Sequence, residues 1–171
     1  ELKLSFLYQI YKDSFLSFSL STSNRFDGDW NDSLYKYGIT AVSPKIFHVG
    51  RIVADARLST VYNNRDNQKF ALGSDSGIRG VESRFYFGDK GFSTNVELRS
   101  VPLDVWIFHV GAALFYDVGA AFDEWRRANA THALGFGIRI LAPQVSSILF
   151  RIDLAFPIYG KGTKHHVVVP S

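Results

Sequence analysis

Arg79 sits in a glycine setting, Gly77-Ile78-Arg79-Gly80, inside a long polar stretch, and two acidic residues, Glu97 and Asp117, follow on strand-like segments downstream. The chemistry this offers is a charge clamp. A guanidinium carries a rigid fork of donors suited to bidentate contact with a carboxylate, and the flanking glycines permit close approach or positive φ. Glu97 and Asp117 fall on the polar faces of their segments, where a loop folded inward reaches them. The plainer alternative is that Arg79 is a solvated turn residue.

Other candidates for chemistry are weaker. Asp75-Ser76-Gly77 lacks the flanking residues and the histidine that a serine nucleophile needs. His165 and His166 are adjacent, so on a strand they point to opposite faces, and no third metal ligand accompanies them. Asp27, Asp29 and Asp32 do not follow the spacing of a calcium loop, and a solvated loop explains them better. Arg126 and Arg127 beside Trp125 are read as a charged hairpin tip rather than a lipid-headgroup contact. With no cysteine in the chain, disulfides, thiolate metal sites and cysteine nucleophiles are excluded. The expectation is a non-enzymatic protein with no catalytic residue, no metal and no cofactor.

The elements that must position Arg79 are strands. The chain has 171 residues, 15 Phe, 8 Tyr and 14 Gly, a mixture that favours pleated surfaces, and period-two alternation recurs with almost no helical repeat. Alternation marks Leu2 to Ile10, Leu16 to Ser21, Tyr35 to Ala41, about Ile46 to Tyr62, and the segments around Glu97, Asp117, Gly137 and Asp153. Eight strands are clear, and a ninth, weaker one runs from Thr163 to Val169. Asn24 to Ser33 is expected to be a loop. Asn63 to Gly80 is too long and polar for a hairpin turn, so an inward-folding loop is placed at about 63–90. One domain, 1–171, accounts for the length. The chain begins at Glu1 without Met or a leader, as a mature product or an excised piece would.

A net charge of +3 spread without a run of Lys or Arg argues against nucleic-acid binding. No stretch approaches the apolar length of a membrane helix. Two β architectures remain: a soluble lipocalin-like cup with apolar faces inward, and its inversion, a membrane barrel with apolar faces toward lipid and a polar lumen. Large aliphatic and aromatic residues hold one face of each strand, while glycines and charges collect on the other, which favours the inversion. Tyr35, Tyr62, Phe85, Tyr86, Trp106, Phe122, Trp125 and Tyr159 lie near strand ends, where a membrane barrel carries its aromatic girdles.

From about Leu72 to Ile158 the chain resembles the C-terminal barrel of the bacterial surface-antigen superfamily, which includes the BamA- and TamA-type outer-membrane assembly factors and the two-partner secretion transporters. Five elements occur in the family's order: Ile78-Arg79-Gly80-Val81, Val96-Glu97-Leu98-Arg99, Phe115-Tyr116-Asp117-Val118-Gly119, Gly135-Phe136-Gly137-Ile138-Arg139, and Arg151-Ile152-Asp153-Leu154-Ala155-Phe156-Pro157. The resemblance implies an antiparallel transmembrane barrel of about sixteen strands, of which this chain is the C-terminal half. It implies an inward loop whose Ile78, Arg79 and Gly80 are anchored to Glu97 and Asp117. It makes Phe115, Gly119, Gly135, Gly137, Arg139, Arg151 and Asp153 barrel-motif positions. It also implies residence in the bacterial outer membrane, with outer-membrane lipid and polypeptide substrates as partners and periplasmic or accessory domains upstream. Two departures stand out: Val81 occupies a position where the family carries an aromatic, implying a less firmly packed loop tip, and Val167 to Ser171 lacks a terminal aromatic.

Overall fold

The computed structural model describes the chain apart from residues 28, 143–145, 161–166 and 171, and for 27, 146–149 and 167–170 it describes the backbone alone. The protein is all-β. Its strands are β1 (Leu2–Tyr11), β2 (Ser14–Asp27), β3 (Asp29–Val42), β4 (Gly50–Tyr62), β5 (Phe70–Leu72), β6 (Tyr86–Gly88), β7 (Lys90–Ser100), β8 (Leu103–Val105), β9 (Phe108–Phe122), β10 (Thr131–Ala142), β11 (Ser146–Tyr159) and β12 (Val167–Pro170). They form one large antiparallel sheet in the order β1-β2-β3-β4-β7-β9-β10-β11-β12, with β8 pairing to the start of β9. β5 and β6 make a separate two-stranded ladder within the connection from β4 to β7. Among the described residues, β1 and β12 are the outer members and do not pair with each other.

The sheet is curled. Phe15 of β2, Asp55 of β4 and Arg151 of β11 border one cavity of about 520 Å³ together with Gly77 and Arg79 of the connection. From β2 to β11 there are six strand-to-strand steps, roughly 29 Å across a flat sheet at the usual spacing. Only a sheet bent around the loop brings the two within one cavity.

Sidedness is the inverse of that of a soluble domain. Phe6, Phe18, Ile39, Ile52, Leu98, Leu114, Leu134, Phe136, Ile152 and Phe156 are exposed, Leu114 at 60%. On the opposite face Glu97, Asp117 and Asp153 are buried. Exposure of a contiguous aliphatic surface is uncommon in soluble monomers. The packed apolar core is small and lies where the loop meets the sheet: Leu72, Ile78, Val81 and Tyr86 against Ala133.

Several expectations are corrected. The polar segment 24–33 is mostly strand: β2 and β3 continue outward as a ladder with Arg25 opposite Asn31 and Phe26 opposite Trp30. Alternation is weak there because Phe26 and Trp30 are the only large apolar residues in it, while the ladder persists through backbone pairing and an edge-to-face contact of Phe26 with Trp30, centroids 5.2 Å apart. The fourth strand begins at Gly50, because the chain from Ile46 turns back on itself with Ile46 bridged to Gly50 and with Phe47 and His48 at positive φ. Val81 is 1% exposed, so the tip is packed firmly without an aromatic there. Tyr86 and Phe122 are buried rather than placed on an exposed girdle, and Tyr86 hydrogen-bonds the Thr131 hydroxyl. The ninth strand is Val167–Pro170, paired to β11 from Ile152 to Ala155; 163–166, including His165 and His166, lie outside the described residues.

Candidate functional site: a buried arginine clamp

Strand register dictates what the loop meets. Across β7, β9, β10 and β11, Glu97 faces Phe115, Phe115 faces Gly135, and Gly135 faces Ala155. One row toward the loop base, Asn95 faces Asp117 and Asp117 faces Ala133. One row the other way, Arg99 faces Ala113, Ala113 faces Gly137, and Gly137 faces Asp153. All these residues share one face, because each row is offset from the next by two residues. The result is a shelf of small residues with three carboxylates set into it.

The loop is shaped to lie on that shelf. The amides of Ser76 and Ile78 donate to the Gly73 carbonyl at 3.1 and 3.0 Å, and the Ser76 hydroxyl accepts from the Gly73 amide. Ser76 thus helps to close the turn at Gly73. Gly80 has φ +83, and a Cβ there would stand 3.0 Å from the backbone and Cβ of Ala155, so both conformation and space require glycine. Gly135 is required by close approach, since a Cβ would collide with the ring of Phe115. Gly119 lies beneath Ile78 and Leu72.

Arg79 enters at the centre. Its Nε and Nη2 donate to the two oxygens of Asp117, each at 2.7 Å, as a bidentate fork, and its backbone amide donates to Asp117 Oδ2 at 3.1 Å. Nη1 donates to Glu97 Oε1 at 2.5 Å and to Asp153 Oδ2 at 3.2 Å. The guanidinium carbon sits 3.5 Å above the centre of the Phe115 ring, a cation–π contact strengthened by desolvation. Arg79 is 7% exposed, Glu97 5%, Asp153 1% and Asp117 0%. Asn95 completes the shell: its amide donates to Asp117 Oδ1 and to the Gly77 carbonyl, both at 2.9 Å.

A second tier of arginines neutralises the remaining oxygens. Arg99 Nε donates to Glu97 Oε2 at 2.6 Å, Arg139 Nη1 to Asp153 Oδ1 at 2.5 Å, and Arg151 Nε to Asp153 Oδ2 at 2.7 Å. Burying these charges is tolerable only because they are paired and hydrogen-bonded; removing one partner of such a buried set costs about 3–5 kcal/mol. Asp117 is the member with the fewest alternatives, because among the described residues its hydrogen-bond partners are Arg79 and Asn95.

The structure thus brings Ile78, Arg79, Gly80, Glu97 and Asp117 together, along with Phe115, Gly135, Gly137, Arg139, Arg151 and Asp153. Asp153 as a third carboxylate for Arg79, Phe115 as its platform and Asn95 as the tie to Gly77 were not assigned those contacts from sequence. The inward alternation of Asn95, Glu97, Asp117 and Asp153 was the available signal, but their rows are fixed only by inter-strand register. The acidic residues near the outer hairpin do other work: Asp32 Oδ1 accepts the amides of Arg65 and Asp66 at 2.8 and 3.0 Å, capping the loop's departure from β4. Arg126 and Arg127 sit exposed in a 3-10 turn, Trp125–Arg127. No cluster of three metal-ligating side chains occurs among the described residues. Neither models of known families, nor curated proteins, nor solved structures match the chain.

Proposed function

We propose that the chain is the C-terminal part of a bacterial outer-membrane β-barrel of the surface-antigen type, which assists insertion or translocation of polypeptides without catalysing a reaction. The observation that carries this proposal is the pairing of opposite sidedness with the clamp: aliphatic residues cover the outer face while a desolvated charge network fixes a loop to the inner one. A bilayer gives the outer face a solvent in which it belongs. The clamp makes β7 to β11 a rigid wall. At the other end, among the described residues, β1 pairs with β2, and its residues are exposed. Mechanically, the wall holds shape while a pliable seam elsewhere in the barrel opens, exchanging backbone partners with a client strand. Lipid and polypeptide clients are the partners this implies, with periplasmic or accessory domains upstream.

The test is reconstitution in phospholipid vesicles. Wild-type protein is expected to accelerate the insertion of an unfolded client barrel, and Arg79→Ala to lose most of that acceleration. Equal rates with and without the wild-type protein refute the assisting role. Leu114→Arg, on the outer face, is expected to weaken membrane insertion by about 2–4 kcal/mol if it lies near the bilayer midplane; extraction of the wild-type protein into buffer without detergent contradicts the membrane placement.

A second reading has an observation of its own. The charged cavity of about 520 Å³ beside the loop tip fits a passive pore, or a barrel that only anchors another domain. Single-channel conductance separates the two: the clamped loop predicts small, intermittent currents that become large and steady in Arg79→Ala, whereas a pore conducts steadily in the wild type.

A further inference from the structure

Beyond the clamp, on the side away from the loop base, the inner face carries more positive charge than it neutralises. Arg79, Arg99, Arg139 and Arg151 stand against Glu97, Asp117 and Asp153, four charges against three. Arg51 adds a fifth and has no ion pair among the described residues. Register makes this worse: Arg51 lies directly opposite Arg99, and Arg139 directly opposite Arg151. Like charges in directly opposed positions destabilise a sheet, so two such pairs side by side need a counter-charge.

A cavity of about 250 Å³ opens at this point, and Arg99, Arg139 and Arg151, from three different strands, all border it, with His109 and Ser100. No Asp or Glu does. The arginines have used only part of their donor capacity on Glu97 and Asp153. Nη2 of Arg139 is buried without a hydrogen-bond partner, 3.7 Å from the nearest Glu97 oxygen, and an unpaired buried donor on a charged group is costly. Among the described residues, both Nη groups of Arg99 and Nη1 of Arg151 are also uncommitted.

We propose that this cavity binds a phosphate-type oxyanion. Three guanidinium groups approaching from separate strands need oxygens directed several ways, which a tetrahedral phosphate supplies and a planar carboxylate does not. Its volume accommodates one phosphate with a few waters, each water taking about 30 Å³. The oxyanion would stand among Arg99, Arg139 and Arg151, offset the like-charged pair Arg139 and Arg151, and occupy the spare donors. Neither the charge surplus nor the cavity depends on the membrane reading, so the two can fail separately. The phosphate has two possible sources, free inorganic phosphate or the headgroup of a lipid.

The experiment is calorimetric titration of inorganic phosphate into the full chain in uncharged detergent, at fixed ionic strength, with acetate as comparison. Saturable phosphate binding is expected, at least tenfold tighter than acetate. Arg99→Gln should weaken it at least tenfold, while Arg57→Gln, on the same face but outside this cavity, should stay within twofold; circular dichroism checks that both variants are folded. Absence of saturable binding overturns the site, acetate binding as tightly as phosphate overturns the ligand class, and equal losses in the two variants reduce the effect to diffuse charge. Competition with short-chain phosphatidic acid then assigns the source: displacement of inorganic phosphate identifies a lipid headgroup, and failure to displace it identifies the free ion.

Discussion

The wall from β7 to β11 and the edge at β1 and β2 are built from the same alternating pattern, yet they differ in what stands on the inner face. Along β1 the inner positions are Lys3, Ser5, Leu7 and Gln9, all exposed. Along β7 and β9 they are Asn95, Glu97, Phe115 and Asp117, covered by the loop and tied to it. Period-two alternation therefore yields a strand in both places and rigidity in only one. The difference comes from tertiary cover: the loop excludes water from three carboxylates, and Arg79 is what makes that exclusion tolerable.

The largest effect expected from breaking this contrast is Arg79→Ala, which strands the buried Asp117 carboxylate and takes one donor each from Glu97 and Asp153. Stability of the wall, measured by urea unfolding followed by tryptophan fluorescence, should fall by about 3–5 kcal/mol. Arg79→Lys should recover little of it, because an ammonium lacks the fork that spans both Asp117 oxygens. Asp117→Asn comes next, at about 2 kcal/mol, since Glu97 and Asp153 remain to hold the guanidinium. Gly80→Ala, forced into positive φ against Ala155, should cost about 1–2 kcal/mol in the same assay. A loss in Gly80→Ala as large as that in Arg79→Ala would place the determinant in loop shape rather than charge.

The smallest effect concerns the base of the loop. Asp123 accepts the Asp89 amide at 3.1 Å and meets Lys69 at 3.3 Å, and those contacts, the amide first, hold its carboxyl below the ordinary aspartate range. A depressed folded pKa means the tie is fully present above the unfolded value, about 3.9, and is lost as pH falls through the folded value. The protection of the Asp89 amide, its exchange rate relative to the intrinsic rate at each pH, should therefore fall only in acid, while the buried clamp residues stay protected. Simultaneous loss of both would join the base and the tip into one cooperative unit.

Much of this was legible in the sequence, and the reasons for the rest are physical. Strands came through wherever one face is apolar, from Phe115 to Gly119 for example, because alternation is then enforced by burial. Where polar residues interrupt both faces, as at Asn24 to Asp27, the ladder is held largely by backbone pairing that leaves no pattern. The turn at Ile46 to Gly50 reads as strand because its residues are apolar, and only the positive φ of Phe47 and His48 reveals it. Arg79, Glu97 and Asp117 are visible from residue type and spacing. Asp153 also accepts from the guanidinium, at 3.2 Å, but it lies 74 residues away in the chain, and only register across β9, β10 and β11 brings it there. Packing of Val81 depended likewise on Tyr86 and Ala133, which no local pattern joins to it.

The central claim is that Arg79 holds the loop on the inner face. Hydrogen exchange of the amides at 77–81, read by mass spectrometry in wild type and Arg79→Ala under identical detergent conditions, tests it most directly. Protection of these amides in the wild type should be lost in the variant, while the paired amides of β9 and β10 keep theirs. Equal protection of 77–81 in the two proteins would contradict the account.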